Sequence, residues 1–146
     1  MAQTSPEAEP LDRPLPAHAK VRLAAEVLAA YPRARYAARH TDIRSTMRHL
    51  RRNRGASKRE TRGERLARAL RLGRAVTRTL RPLPVDSRCL TQSLVLTHLL
   101  ARRGIETKLV IGVRPGADFA AHAWVELDGT PLLPSGDGEY ARLAEL

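Results

Sequence analysis

Apolar side chains recur at helical spacing from Ala17 to Tyr31, where Val21, Leu23, Ala24, Val27 and Leu28 form one stripe. This predicts a first helix that Pro32 ends, because proline lacks the N–H that a continuing helix needs. Arg33 to Leu50 carries a weaker stripe of Tyr36, Ile43, Met47 and Leu50, with Thr41-Asp42 as a fresh start inside it, and reads as one or two short helices. Arg51 to Ala56 is a basic connector broken at Gly55, after which Ser57-Lys58-Arg59-Glu60 has the Ser-x-x-Glu form of a capping box. A long helix is expected from there to about Leu80. Leu66, Ala69, Leu70, Leu72, Ala75, Val76, Thr79 and Leu80 face its core side and its arginines lie outside.

Pro82 and Pro84 stop that helix, and a new one restarts at Asp86 or Ser87 with apolar positions at Leu90, Leu94, Leu96, Leu99 and Leu100. Arg102-Arg103-Gly104 places cations at its negative end and a glycine to turn out. Two strands follow, Thr107 to Arg114 and Phe119 to Leu127, then an Asp128-Gly129 hairpin turn and a returning strand over Thr130 to Pro134. Glu139 to Leu146 reads as a last short helix. The pattern is an α+β fold: a helical N-terminal half, then an antiparallel meander of about three strands with the cysteine-bearing helix across one face. It divides into a proline-rich tail (1–16), a basic helical region packing on the core (17–81) and the core itself (82–146).

Charge narrows the partners. The chain has 26 Lys and Arg against 15 Asp and Glu, a formal net charge of +11, most of it between Arg33 and Arg81. A surface of this kind suits an acidic partner. Tyr36 is the one aromatic in that region, which argues against nucleic acid held by base stacking. A non-catalytic basic module that binds nucleic acid or acts as a scaffold stays open as an alternative. One cysteine excludes an internal disulfide and a multi-cysteine zinc site, so a reducing, cytoplasmic setting is expected. No apolar run reaches the roughly 18 to 20 residues of a membrane span, so no membrane partner is expected. His18, His40, His49 and His98 show no metal-ligand spacing, and neither a metal nor any other cofactor is expected.

The candidate chemistry lies between Asp86 and Gly129. Cys89 falls in the first turn of its helix, where unpaired N–H groups and the helix dipole favour a thiolate, with Arg88 beside it. His122 follows on a strand and supplies the base that a cysteine nucleophile needs. Taken singly, Cys89 also fits a small buried hydrophobe and His122 a satisfied core histidine. His122 shares a strand face with Trp124 and Glu126, so Trp124 either borders the site or simply packs. Gln92, about one turn after Cys89, either lines the cleft or is a polar residue at the helix rim.

Arg88-Cys89-Leu90-x-x-Ser93-Leu94, then Gly104-Ile105, Leu109-Val110-Ile111-Gly112-Val113, Ala121-His122-Ala123-Trp124-Val125-Glu126 and Asp128-Gly129 together resemble the transglutaminase-like leader peptidases of lasso-peptide biosynthesis. The resemblance covers roughly residues 80–146 and fits the helical half more loosely. It implies a papain-like core and a cysteine protease that removes the leader from a ribosomally made precursor peptide. It also implies a separate leader-recognition protein as partner, since a chain of this length lacks the small recognition domain that some relatives carry, and a cyclase acting afterwards. Acyl transfer through the same thioester remains an alternative.

The resemblance further implies an aspartate about a dozen residues after the histidine, holding its second nitrogen. This chain reads Leu132-Leu133-Pro134-Ser135 there. A two-residue turn at Asp128-Gly129 pairs residues whose numbers sum to about 257, which sets position 135 opposite His122. Asp137 is the nearest carboxylate, reached through a bulge or a returning loop, and Asp128 is the runner-up. A Cys–His dyad without a carboxylate is the remaining possibility.

Overall fold

The computed structural model describes residues 14–52, 54–83, 88–117, 119–134, 136 and 139–146, with Arg88 described by its backbone alone. In chain order the elements are α1 (Ala17–His40), α2 (Ile43–Arg52), α3 (Arg62–Leu80), α4 (Arg88–Arg102), β1 (Lys108–Arg114), β2 (Ala120–Leu127), β3 (Thr130–Pro131) and β4 (Ala141–Glu145). The strands form one antiparallel sheet in the order β3-β2-β1-β4. This is the α+β arrangement expected from the sequence, with four strands among the described residues where about three were expected.

α4 is the centre of the molecule. Leu94, Val95, Leu96, Leu99 and Leu100 are at most 2% exposed, and α1, α3 and β2 all pack on this helix. Burial of each such side chain is worth about 1.5–3 kcal/mol, so this helix organises its neighbours. One cluster runs from Val27 in α1 through Ala69, Leu72 and Val76 in α3 to Leu109, Ala123, Val125 and Leu127 in the sheet. Leu132 and Leu133, just after β3, belong to it as well.

Two helix boundaries differ from the sequence reading. Pro32 lies inside α1 rather than ending it. Its missing N–H removes one hydrogen bond, while Ala30 and Ala34, either side of it, are buried with Val27 in the core, so packing outweighs the local penalty. The capping box of α3 forms at Thr61 and Glu64, not at Ser57 and Glu60. The Glu64 carboxylate accepts from the Thr61 N–H at 2.8 Å and its own N–H donates to Thr61 Oγ1 at 3.2 Å, whereas Glu60 pairs with Arg68. Asp42 opens α2 as expected, accepting from the N–H groups of Arg44 at 3.3 Å and Ser45 at 3.1 Å. The Ser45 hydroxyl, which also donates to this carboxylate at 3.1 Å, and then these N–H bonds hold its carboxyl below the usual carboxylate range.

The C-terminal segment is also corrected: it forms β4, not a helix. Its residues are adequate helix formers, but the free edge of β1 offers backbone partners, and Leu146 and Leu109 exchange N–H···O bonds at 2.9 Å each way. Lys108–Glu145 and Arg142–Glu126 ion pairs add side-chain contacts. The returning strand expected to reach Pro134 ends at Pro131. Leu132 still donates to Val125 O at 2.8 Å, after which Leu132 and Leu133 leave the sheet and enter the core. The turn joining β2 to β3 is as expected, with Asp128 at φ 50° and Gly129 at φ 82°, the left-handed pair a two-residue hairpin demands.

Gly73 marks the tightest contact between α3 and this segment. A Cβ at Gly73 would stand 2.1 Å from the carbonyl oxygen of Leu132, which is backbone and has nowhere to go. Gly73→Ala is therefore expected to destabilise the fold by about 1–3 kcal/mol, a melting-temperature drop readable by circular dichroism; an unchanged melt would contradict the packing described.

His98, on α4, is half-buried and faces Arg102 on its own helix, Arg33 on α1 and His49 on α2. Burial first, and then these basic groups, push its pKa below the ordinary value and disfavour the charged imidazole in the folded chain. The unfolded chain then binds a proton more readily, and stability attributable to His98 falls as pH drops through about 6.5. His98→Gln should lessen the fall in melting temperature between about pH 8 and about pH 5.5; an equal fall in both proteins would contradict this.

Candidate active site

Cys89 is the second residue of α4, in the first turn, where backbone N–H groups have no intrahelical acceptor. Its side chain is partly buried and packs against the core. Asp86 and Ser87, the expected caps, lie outside the described residues. One turn further on, the fully buried Ser93 donates from Oγ to the carbonyl oxygen of Ala123 on β2 at 3.1 Å. Residues four apart share a helix face about 6 Å from each other, so Cys89 lies on the face that this bond docks.

The direction of the Ala123 carbonyl shows where the docking occurs. Val125 O, of the same parity along β2, accepts from Leu132 on the strand's outer edge. Ala123 O therefore points to that same edge, beyond the end of β3 at Pro131, where α4 rather than a strand satisfies it. The helix start closes an open edge of the sheet directly beside His122.

His122 itself lies on the far face of β2. Ala123, Val125 and Leu127 join the helical core, while Trp124 and Glu126, which share the His122 face, do not. The helix packs across one face as expected, while the His122 imidazole is carried on the face opposite the one that receives the helix of Cys89. Among the described residues no hydrogen bond joins the two. His122 Nε2 stands 3.0 Å from the carbonyl oxygen of Pro134. A carbonyl oxygen only accepts, so Nε2 carries a proton, and in the neutral imidazole the lone pair is then on Nδ1.

The partly exposed imidazole is flanked by aromatic and glycine neighbours. Trp124 stacks at 5.8 Å between ring centroids and Tyr140 lies tilted at 5.3 Å. Gly112 pairs across the sheet with His122, and a Cβ there would meet Tyr140 Cβ at 2.8 Å and Trp124 Cη2 at 2.9 Å, so the indole rests where only glycine leaves room. The indole N–H donates to Glu126 Oε1 at 2.8 Å. Glu126 is buried, and Arg142 supplies its counter-charge through bonds of 2.8 and 3.1 Å. Those bonds to Glu126, with one to Glu145, raise the Arg142 pKa. Trp124 is thus a fixed wall beside His122.

The other sequence candidates fall elsewhere. Gln92 is partly exposed on α4. Asp128 sits in the turn six residues along from His122, about 20 Å at the rise of a strand, and its carboxylate pairs with Arg62 at 3.3 Å. Asp137 lies outside the described residues, as does the side chain of Arg88. Pro134, Gly136 and Tyr140 were not singled out from the sequence. The signal for the first was present in the hairpin count, since the observed pairs Glu126↔Pro131 and Leu127↔Thr130 keep the expected sum.

A thiol at a helix start and an imidazole held through Nε2 are parts that a cysteine-based acyl-transfer site uses. Comparison with curated proteins and with solved structures returns no match. Comparison with protein families matches residues 27–146 to one described as the transglutaminase-like superfamily, which includes cysteine peptidases and acyltransferases. The match begins within α1 and takes in Cys89, His122 and all four strands. This chain belongs to the transglutaminase-like superfamily.

Proposed function

We propose that the protein is a cysteine peptidase that removes the leader from a lasso precursor peptide, with Cys89 as nucleophile and His122 as general base and acid. The observation that carries the chemistry is the commitment of His122 Nε2 to an acceptor, which leaves Nδ1 as the basic nitrogen beside the edge that α4 closes. The leader-peptidase assignment is supported by the motif set from Arg88 to Gly129, which lies within the superfamily match.

In this reading Nδ1 takes the Cys89 proton and the thiolate attacks the peptide carbonyl at the leader–core junction. The N–H of Cys89 stabilises the oxyanion. The imidazolium returns its proton to the departing amine, which frees the core peptide and leaves the leader as a thioester on Sγ. Nδ1 then deprotonates a water, which attacks the thioester, and the leader acid and the thiol are released. An amine in place of that water would make the same site an acyltransferase, so the acceptor distinguishes the two.

A separate leader-recognition protein completes the proposal. Its docking place is the groove between α1 and α3, about 500 Å³, with Val21, Leu23, Ala24 and Ala75 as apolar lining and Lys20, Arg71, Arg74 and Arg78 around it. An acidic amphipathic segment of the partner complements that surface. Among the described residues no helix is long and apolar enough to cross a membrane.

The test incubates the chain with precursor peptide and recognition protein and follows product masses. Cys89→Ala and His122→Ala should each lower cleavage by about a thousandfold or more while the melting temperature stays within a few degrees, and the double variant should be no worse than either. Undiminished cleavage by either single variant would refute the proposal.

A further inference from the structure

We infer that the backbone carbonyl of Pro134, rather than a carboxylate, holds the second nitrogen of His122 and so fixes Nδ1 as the reacting nitrogen. The assignment rests on the Cys–His reading above for its catalytic meaning, but its structural content stands independently. Nε2 lies 3.0 Å from Pro134 O, and a single Nε2–H can serve one strong acceptor.

The carbonyl is held in place from several directions. Leu132 is bonded to Val125 O and pressed by α3 at Gly73, and Leu132 and Leu133 are both buried, so the two residues before Pro134 are anchored in the core. Proline restricts φ at its own position and removes a competing N–H. On the far side, Gly136 adopts φ 81°, and a Cβ there would stand 3.3 Å from His122 Cδ2 and 3.4 Å from Nε2. Glycine at 136 lets the chain turn closely around the imidazole while Pro134 O stays on it. Trp124 and Tyr140 limit rotation of the ring, so the tautomer is set by an uncharged acceptor beside two aromatic neighbours.

A neutral orienting group is a chemical choice, not only a geometric one. A carboxylate both holds the imidazole and stabilises imidazolium by charge; a carbonyl does the first through a hydrogen bond and much less of the second. Pro134 is thus a positioning residue acting through His122.

The experiment uses the full chain and reads the imidazole directly. Proton–nitrogen correlation spectra, with His122→Gln to identify the signal, should show His122 in the Nε2–H form, and Asp137→Asn should leave both that form and kcat/KM within about twofold of the parent. Gly136→Ala should disturb the tautomer and lower kcat about tenfold or more with KM little changed. Gly129→Ala is the control for backbone strain, because Gly129 has a matching φ of 82° and nothing within 4 Å of an added Cβ; it should leave the His122 signal unchanged. Loss of the Nε2–H form in Asp137→Asn, or an Nδ1–H form in the parent, would overturn the inference. An Nε2–H signal insensitive to Asp137 in a chain whose cleavage survives Cys89→Ala would leave the inference standing and remove the peptidase reading instead.

Discussion

The burial of α4 is the constraint on which the site depends. Its leucines and valines are enclosed by α1, α3 and the sheet, so the helix cannot shift without opening the core of the whole molecule. Because the helix is rigid, fixing its middle fixes its first turn. One turn further on, the Ser93 bond to Ala123 then ties the start of the helix to one edge position of β2. A buried hydroxyl bonded to a backbone carbonyl specifies register in a way that apolar contact alone does not, since a slip would leave both groups unsatisfied.

The second support is the face of the sheet turned away from the helices. A barely exposed carboxylate, Glu126, is tolerated there because Arg142 and the Trp124 indole satisfy both of its oxygens. That network holds the indole over Gly112 and against His122, and it draws in β4, which supplies Arg142 and follows Tyr140. The C-terminal strand therefore adds more than another pair of hydrogen-bonded edges: it completes one wall of the imidazole's surroundings.

Much of this was legible in the sequence where local chemistry and tertiary context agree. The helix of Leu94 to Leu100, the Asp128-Gly129 turn, the Asp42 cap and the shared face of His122, Trp124 and Glu126 all follow from periodicity or turn preference, and each is present. The misreadings occur where a long-range partner decides. Pro32 reads as a helix end until Val27, Ala30 and Ala34 are seen buried on both sides of it. Ala141 to Glu145 reads as helix until β1 offers an edge. Thr61 and Ser57 head equally good capping patterns, and nothing local ranks them. Pro134 could not have been picked out by residue type, because the group that meets His122 is a carbonyl every residue carries.

In the proposed peptidase, His122 acts on Cys89 around the sheet edge that α4 closes. The rate at which iodoacetamide alkylates the single thiol at neutral pH tests it without any substrate, comparing the parent with His122→Gln at matched stability. If Nδ1 activates the thiol, alkylation should slow by about tenfold or more in the variant. Equal rates in the two proteins would mean that the imidazole does not reach Cys89, and the account would be contradicted.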